Sequence, residues 1–365
     1  MVVIAAAGDI MTGDHPVCFG HGIRSVIRKK GLRFLVSEIE PWLQKADICF
    51  GNLEAVLADE KPGEEKSLSA SELRGDARTA GLLAEAGFTL LNLANNHILQ
   101  HGMAAFDETI AGLGAAGISC IGLQEGRGSN VHLVDQNGIR LAFVGYSLRP
   151  EKFLNTRQGG YARCSHQEVL RQVAGLRSAR PEAKIIVSLH WGEEYLNYPS
   201  SEQIDFAHEL IDAGALVILG HHPHVLQGVE TYRSGLICYS LGNLIFDKWQ
   251  RNSRQSMLVR ITVGPDGIAG YQLVPVYIRK NYSLCLGCER ANRKILARLA
   301  EYSDAVAQRS AKIAGGRKYD QQARAAYFRF RISSYLYFIF HLWRYPPRIL
   351  AQSLGRSIRR RLGKE

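Results

Sequence analysis

The sequence predicts an α/β fold built in layers, and three observations predict it. Short, largely apolar runs alternate with helix-like stretches through the first two thirds of the chain. Unbroken runs of that kind suit strands covered on both faces, as a parallel sheet between helices requires. Later, LVRITV (258–263) and GIAGYQLVPVYI (267–278) follow one another with no helix between them, as when a further sheet is completed.

In chain order, VVIAAA (2–7) reads as an opening strand. It is too short, and lacks the basic start, for a signal peptide or a membrane span. A helical stretch over Leu32–Lys45 leads to the strand DICFG (47–51), and Asp76–Ala86 leads to FTLLNLA (88–94). Met103–Ala116 precedes LAFVGY (141–146), His166–Arg177 precedes KIIVSLH (184–190), and Ser201–Ala213 precedes ALVILG (215–220). LICYSLG (236–242) and MLVRITV (257–263) are the remaining strands expected, and no internal repeat or low-complexity segment interrupts the series.

Composition limits the function classes. With 46% hydrophobic and 22% charged residues among 365, the chain reads as globular. Its formal charge of +11 is concentrated at one end: residues 315–365 hold twelve Lys/Arg against Asp320 and Glu365, a net +10. The body is nearly neutral, which argues against a general nucleic-acid surface. Seven scattered cysteines, an odd number, suit free thiols in a reducing compartment, so a cytoplasmic location is expected. Cys285 and Cys288 form a lone CxxC with no second pair to complete a metal site.

Polar, metal-capable residues close six of the apolar runs. They are Asp9 after VVIAAA, Asn52 and Glu54 after DICF, and Asn95-Asn96-His97 after LLNLA. His190-Trp191 follows IIVSL, His221-His222-Pro223-His224 follows LVIL, and Asn243 follows ICYSL. Each has an ordinary role open to it alone: a helix cap for Asp9, a turn for Asn95-Asn96, an interior histidine for His190. All six at the same end of a strand point to one site beyond the sheet's carboxyl edge. Carboxylates, amides and imidazoles without thiolates suit Mn²⁺, Zn²⁺ or Fe, one ion or two, or Mg²⁺ if few histidines bind. In an extended loop, His222 and His224 would point to the same side.

Asp9 in GDIM, GNLE (51–54), ANNH (94–97), HWGEEY (190–195), GHHPHV (220–225) and YSLGNLIFD (239–247) together resemble the CapA family of bacterial capsule or poly-γ-glutamate synthesis proteins. The resemblance covers roughly residues 2–280. It implies a metallophosphoesterase-like four-layer α-β-β-α sandwich over 1–285, here followed by a helical connector (286–316) and a basic aromatic C-terminal tail (317–365). By that resemblance the metal ligands are Asp9, Glu54, Asn96, His190, His222 and His224. Asn96 and His97 would be the catalytic pair, His97 facing the scissile group. His221 falls outside the H-x-H pair and is expected to support a ligand or pack at the strand end. Asn52, Trp191, Glu193 and Asn243 are expected to line the substrate side. Three positions depart from the related phosphoesterase pattern: Met11 and Asn52 replace ligands of the first metal, and Gln100 replaces an aspartate.

Two functions stay open: a metal-dependent hydrolase acting on a phosphorylated or polyanionic substrate, and a non-catalytic accessory or polymer-binding component of a membrane-associated capsule machine. The tail adds to the second. Residues 327–345 hold nine aromatics interleaved with arginines, and Pro346-Pro347 precede RILAQSLGRSIRRRL. This composition suits an anionic membrane surface or a capsule-machinery partner, with a helical hairpin packed on the body as the alternative.

Overall fold

The structure is a computed structural model and describes residues 1–60, 68–124, 126–149 and 159–352. Its strands run β1 (Val2–Ile10), β2 (Ile48–Leu53), two-residue β3 (Val56–Leu57) and β4 (Arg74–Gly75), β5 (Leu90–Asn92) and β6 (Ser119–Ile121). Next come β7 (Val131–Gln136), β8 (Ile139–Ser147), β9 (Lys184–His190), β10 (Ala215–His221), β11 (Val229–Tyr232) and β12 (Gly235–Cys238). Finally β13 (Asn243–Ile245), β14 (Gln255–Gly264), β15 (Gly267–Ile278) and β16 (Leu284–Cys285) complete the series.

Every residue of β1 from Ile4 to Ile10 is buried, so the strand needs cover on both faces and takes a central place. Its sheet has the order β16-β15-β14-β1-β2-β5-β6, with β13 also paired to β1. β1, β2, β5 and β6 are mutually parallel, and β14 joins antiparallel. The second sheet has the order β11-β12-β10-β9-β8-β7, parallel through β12, β10, β9 and β8. Alternate residues of the two sheets meet face to face. Ile4, Phe50 and Leu90 of the first join Phe143, Ile186 and Leu219 of the second in one core, and the Phe50 and Phe143 rings stack 6.1 Å apart.

Helices cover the outer faces. α1 (Ile23–Lys30), α2 (Arg33–Val36), α3 (Glu40–Gln44), α5 (Thr79–Glu85) and α6 (Gly102–Ala115) bury Ile27, Leu35, Leu43, Leu83 and Phe106. The short α4 (Leu68–Ser71) lies near the chain's C-terminal part, and α7 (His166–Ala179) and α8 (Ser201–Asp212) cover the second sheet through Val169, Val173 and Leu210. The four-layer α-β-β-α sandwich expected from the resemblance is therefore the observed fold. α9 (Glu289–Ala307) packs Ile295 and Leu299 against the sheets' edge, and α10 (Gly316–Phe340) buries Tyr319, Ala323 and Ala326 on the body. Beyond α10, Tyr345 and Ile349 are buried with Leu68, and the Tyr345 hydroxyl donates to the Val17 carbonyl. The basic helix expected after Pro347 falls largely outside the described residues, which end at Gln352.

Several details differ from the sequence reading. The helix expected over Leu32–Lys45 is two short ones, because Pro41 can only start a helix, and it opens α3. β7 and β8 form an unanticipated hairpin about Asn137-Gly138, both at positive φ (51° and 73°), as a two-residue mirror-image turn requires. The helix expected from Asp76 starts at Thr79, since Asp76 is committed to an ion network. Arg24 of α1, nearly buried, meets Asp76 at 2.7 Å and Glu60 at 2.7 Å, and Arg28 reaches Asp76 at 2.7 Å.

Burial raises the Asp76 and Glu60 carboxyls, but hydrogen bonds and charges from Arg28 and Arg24 outweigh it and hold both below the usual range. Their contribution is present above the ordinary carboxylate range and is lost as pH falls through the lower folded values. Asp76→Asn should destabilise by roughly 1–3 kcal/mol at neutral pH, because it leaves the buried Arg24 guanidinium with Glu60 as its one remaining carboxylate partner. Urea midpoints of the two proteins should differ clearly at pH 7 and converge toward pH 3.

Candidate metal centre

Strand register brings the scattered motifs together. In the first sheet Asp9 stands level with Asn243 on one side and Asn52 on the other, and Asn52 with Asn92. In the second sheet Ser147, His190 and His221 form the matching row. Both rows lie at the parallel strands' carboxyl ends, the two inner faces opposed. Gly8 lets β1 come close enough: a Cβ there would meet the Gly242 carbonyl oxygen at 2.1 Å.

Glu54, wholly buried, is the centre. Its Oε1 lies 3.7 Å from His190 Nε2, 3.7 Å from His224 Nε2 and 3.9 Å from His97 Nε2. It belongs to two groups whose ligand atoms all lie within 4.8 Å of one another: Glu54 with His190 and His222, and Asp9 with Glu54 and His224. His222 and His224 thus serve different groups. They do so from left-handed backbone, φ 95° and 57°, and not from the extended loop expected, a conformation that costs free energy in a non-glycine residue. The His190 and His222 ring centroids are 4.7 Å apart. Asn96 Oδ1 is 2.7 Å from His190 Nε2.

The surrounding hydrogen bonds orient these groups. Both amide hydrogens of Asn243 are used, by the carbonyls of His224 and Ser253, so its Oδ1 faces His224 Nδ1 at 2.9 Å. His224 therefore carries its proton on Nδ1 and turns Nε2 to Glu54. Asn52 donates to Asp9 Oδ1 at 2.9 Å and accepts from Asn92 at 2.9 Å. Asn95 ties its loop to β2 through the Leu53 carbonyl at 2.7 Å and caps the His97 amide at 3.1 Å. His97 Nδ1 meets Gln100 Oε1 at 2.9 Å, and Gln100 is held in turn by Glu72. His221 lies with Nδ1 3.3 Å from Asp9 Oδ1 and its ring against Phe50, the supporting place expected for it.

Electrostatics prepares the donors for a cation. Burial raises the Asp9 carboxyl, yet His221 and His224 overcome it and hold the group well below its usual range, hence ionised. Burial pushes His190 and His222 well below the usual imidazole value, so each presents the neutral ring that a metal ion needs. Both ring nitrogens of His222 and the Asn96 amide nitrogen are buried without a hydrogen-bond partner, a cost that a ligand would remove for the ring. Two carboxylates, three imidazoles and an amide oxygen fit a divalent cation. The carboxylate absent at Asn52 is supplied two residues later by Glu54. Met11 is buried beside Ala55 and Phe246, outside the donor set.

Other expected substrate-side residues are placed differently. Trp191 is 1% exposed, stacked on Tyr239 and donating to its carbonyl at 3.0 Å, so it packs the core and lines no cleft. Asn52 and Asn243 are also wholly buried, beneath the ligands. Glu193 does reach a cavity of about 370 Å³, paired with Arg149 at 2.5 Å and facing Asp320, Arg324 and Tyr327 of α10. Sequence reading missed the roof. Phe330 of α10 stacks on Tyr195 at 4.3 Å and on Trp249 at 5.4 Å, and the Tyr195 ring is 6.2 Å from His224. Lys248 donates to the Tyr195 hydroxyl at 3.2 Å and lies over the Phe246 ring at 4.8 Å.

The site is thus a buried carboxylate–histidine cluster at the strand ends of a four-layer α-β-β-α sandwich. The chain is a member of the family of bacterial capsule synthesis protein PGA_cap, whose model matches residues 3–248. It is 32% identical over 286 residues to the capsule biosynthesis protein CapA of Bacillus anthracis, covering 76% of this chain and 68% of that one. To the PGA biosynthesis protein CapA of Bacillus subtilis it is 28% identical over 279 residues, covering 75% and 70%. A solved 5'-nucleotidase precursor from Thermus thermophilus aligns at 11% identity and TM-score 0.45, over 82% of this chain and 58% of that one. The chain is thus a CapA-like protein of capsule or poly-γ-glutamate biosynthesis.

Behind the centre, Asp247 is wholly buried and accepts from the His15 amide at 2.8 Å. Burial, and then the charge of Asp14, push its carboxyl up to about 8. The unfolded value is about 4, so this group's contribution is complete below pH ~4 and is lost as pH rises to and through about 8. Asp247→Asn keeps the shape and removes the ionisation. Thermal melts should therefore show the variant gaining on the wild type as pH rises from about 4 to about 8, with no gain below pH ~4 and no further gain above about 8.

Proposed function

We propose that this chain is a metal-dependent hydrolase acting on a phosphorylated or polyanionic substrate in capsule-polymer synthesis. The observation that carries the reading is Glu54, a buried carboxylate common to two ligand groups, one of which includes a histidine with both ring nitrogens unsatisfied. Asp9, Glu54, Asn96, His190, His222 and His224 would hold one or two divalent ions, Mn, Zn or Fe. Bound there, such ions would supply Lewis acidity toward a phosphoryl or acyl oxygen and a water acidified toward neutral pH.

The chain's own residues do the rest. Glu54 and Asp9 place fixed negative charge where a cation must sit, and Asn243 keeps His224 Nε2 turned toward it. His97 is the least buried member, with 11% of its side chain exposed, and is placed to face an incoming group. Gln100 Oε1 accepts a hydrogen bond from Nδ1–H, which leaves Nε2 as the nitrogen to exchange a proton with the leaving group. As an amide, Gln100 gives that orientation without the negative charge of the aspartate it replaces.

One observation favours the second reading, a non-catalytic accessory or polymer-binding component. Asp9, Glu54, Asn96, His190, His222 and His224 are at most 3% exposed, and Phe330 and Tyr195 stack over the cluster. Elemental analysis of protein purified without a histidine tag, with Mn²⁺-supported hydrolysis of bis(p-nitrophenyl) phosphate, separates the two. The hydrolase reading expects about one or two equivalents of metal, greatly reduced in Glu54→Gln and His222→Ala, with kcat/KM down about 100-fold or more. Bound metal with no turnover that these substitutions affect would favour the accessory role. No metal and no such turnover would defeat the hydrolase.

A further inference from the structure

α10 has two apolar faces, and only one of them is used. Its inner face buries Tyr319, Ala323 and Ala326, while Phe330 stacks on Tyr195 and Ser333 accepts from the Trp249 indole at 3.0 Å. With that face fixed, the helix cannot roll. Phe328, Ile332, Tyr335, Leu336, Ile339 and Trp343 then point outward, between 44% and 81% exposed. Spacings of one to four residues set the first five in a stripe along about three turns of α10, and Trp343 follows in the short 3-10 turn Leu342–Arg344. These six make up much of the large apolar surface exposed among the described residues, and a contiguous patch of this kind marks a site of interaction.

We propose that this outer face of α10 docks on an anionic lipid surface and lies in the membrane interface. Charge chooses the occupant. Arg329 and Arg331 flank the stripe on either side, Arg344 and Arg348 follow it, and no Asp or Glu occurs from Gln321 to Gln352. A second copy docked face to face would bring these arginines together, whereas anionic headgroups would neutralise them. The stripe is a ridge on a single helix and offers no groove to a peptide. Its aromatics include Trp343, 81% exposed with Arg344 lying 5.6 Å from its ring, the residue types that settle at headgroup depth. No helix among the described residues is long and apolar enough to cross a membrane, so the geometry is that of lying on the surface. Nothing in this argument uses the ligand cluster, so lipid docking and metal binding can fail separately.

The experiment is co-sedimentation of the full chain with vesicles of phosphatidylcholine alone or with 30% phosphatidylglycerol. Partitioning onto the anionic vesicles should exceed that onto neutral ones at least tenfold and should fall as NaCl rises from 0.1 to 0.5 M. Arg329→Gln with Arg331→Gln should weaken it roughly tenfold to thirtyfold. Phe328→Ser, Ile332→Ser, Ile339→Ser and Trp343→Ser together should abolish it with an unchanged circular dichroism spectrum and melt. Should that variant misfold, quenching of wild-type tryptophan fluorescence by brominated anionic lipid decides the matter, with quenching expected. Absence of wild-type binding or of quenching overturns the proposal. Undiminished binding by a folded serine variant, or lipid-independent dimerisation through this face without vesicle binding, also overturns it.

Discussion

Two carboxylates buried without access to water, Asp9 and Glu54, set the conditions that the surrounding structure meets. An isolated buried carboxylate is too costly to stay charged, so nearby positive charge, hydrogen bonds or a cation must compensate it. Asp9 is compensated by His221, His224 and the Asn52 amide. Around Glu54 stand three imidazole nitrogens at 3.7 to 3.9 Å, and burial works against charge on one of them, His190. An arrangement of ionised carboxylate and neutral imidazole is the one a divalent ion completes. The left-handed backbone at both His222 and His224 fits this account, since a strained conformation persists where its surroundings over-determine it.

The departures from the phosphoesterase pattern then have a physical meaning. Replacing a carboxylate by Asn52 moves the shared anion to Glu54 and turns residue 52 into an orienting amide beneath Asp9. Gln100 likewise keeps the orientation of His97 while giving up a charge.

α10 connects the centre to the exterior. Its inner face supplies Phe330 to the roof above Tyr195 and His224, and its outer face carries the basic aromatic stripe. One rigid helix therefore bounds the cavity holding Arg149 and Glu193 and also meets whatever lies outside.

Much of this was legible in one dimension. Aliphatic runs such as KIIVSLH and ALVILG can be satisfied only as strands covered on both faces, and β9 and β10 begin where those runs begin and end at or within one residue of them. The clustering of these side chains was legible too, because histidines and carboxylates placed directly after such runs must emerge at one edge of the sheets. Trp191, Asn52 and Asn243 could not be placed that way. Whether a polar or aromatic residue beside a ligand faces substrate, supports a ligand or fills the core depends on what the opposite sheet brings against it. The same holds for Leu32–Lys45, divided by Pro41, and for the tail, whose arginines and aromatics are evident in composition. Composition alone leaves open which aromatics face inward. Only the packing of Tyr319, Ala323 and Ala326 fixes the rotation of α10, sending Phe330 to the site and Ile339 to the surface, because a helix face is defined by what it is packed against.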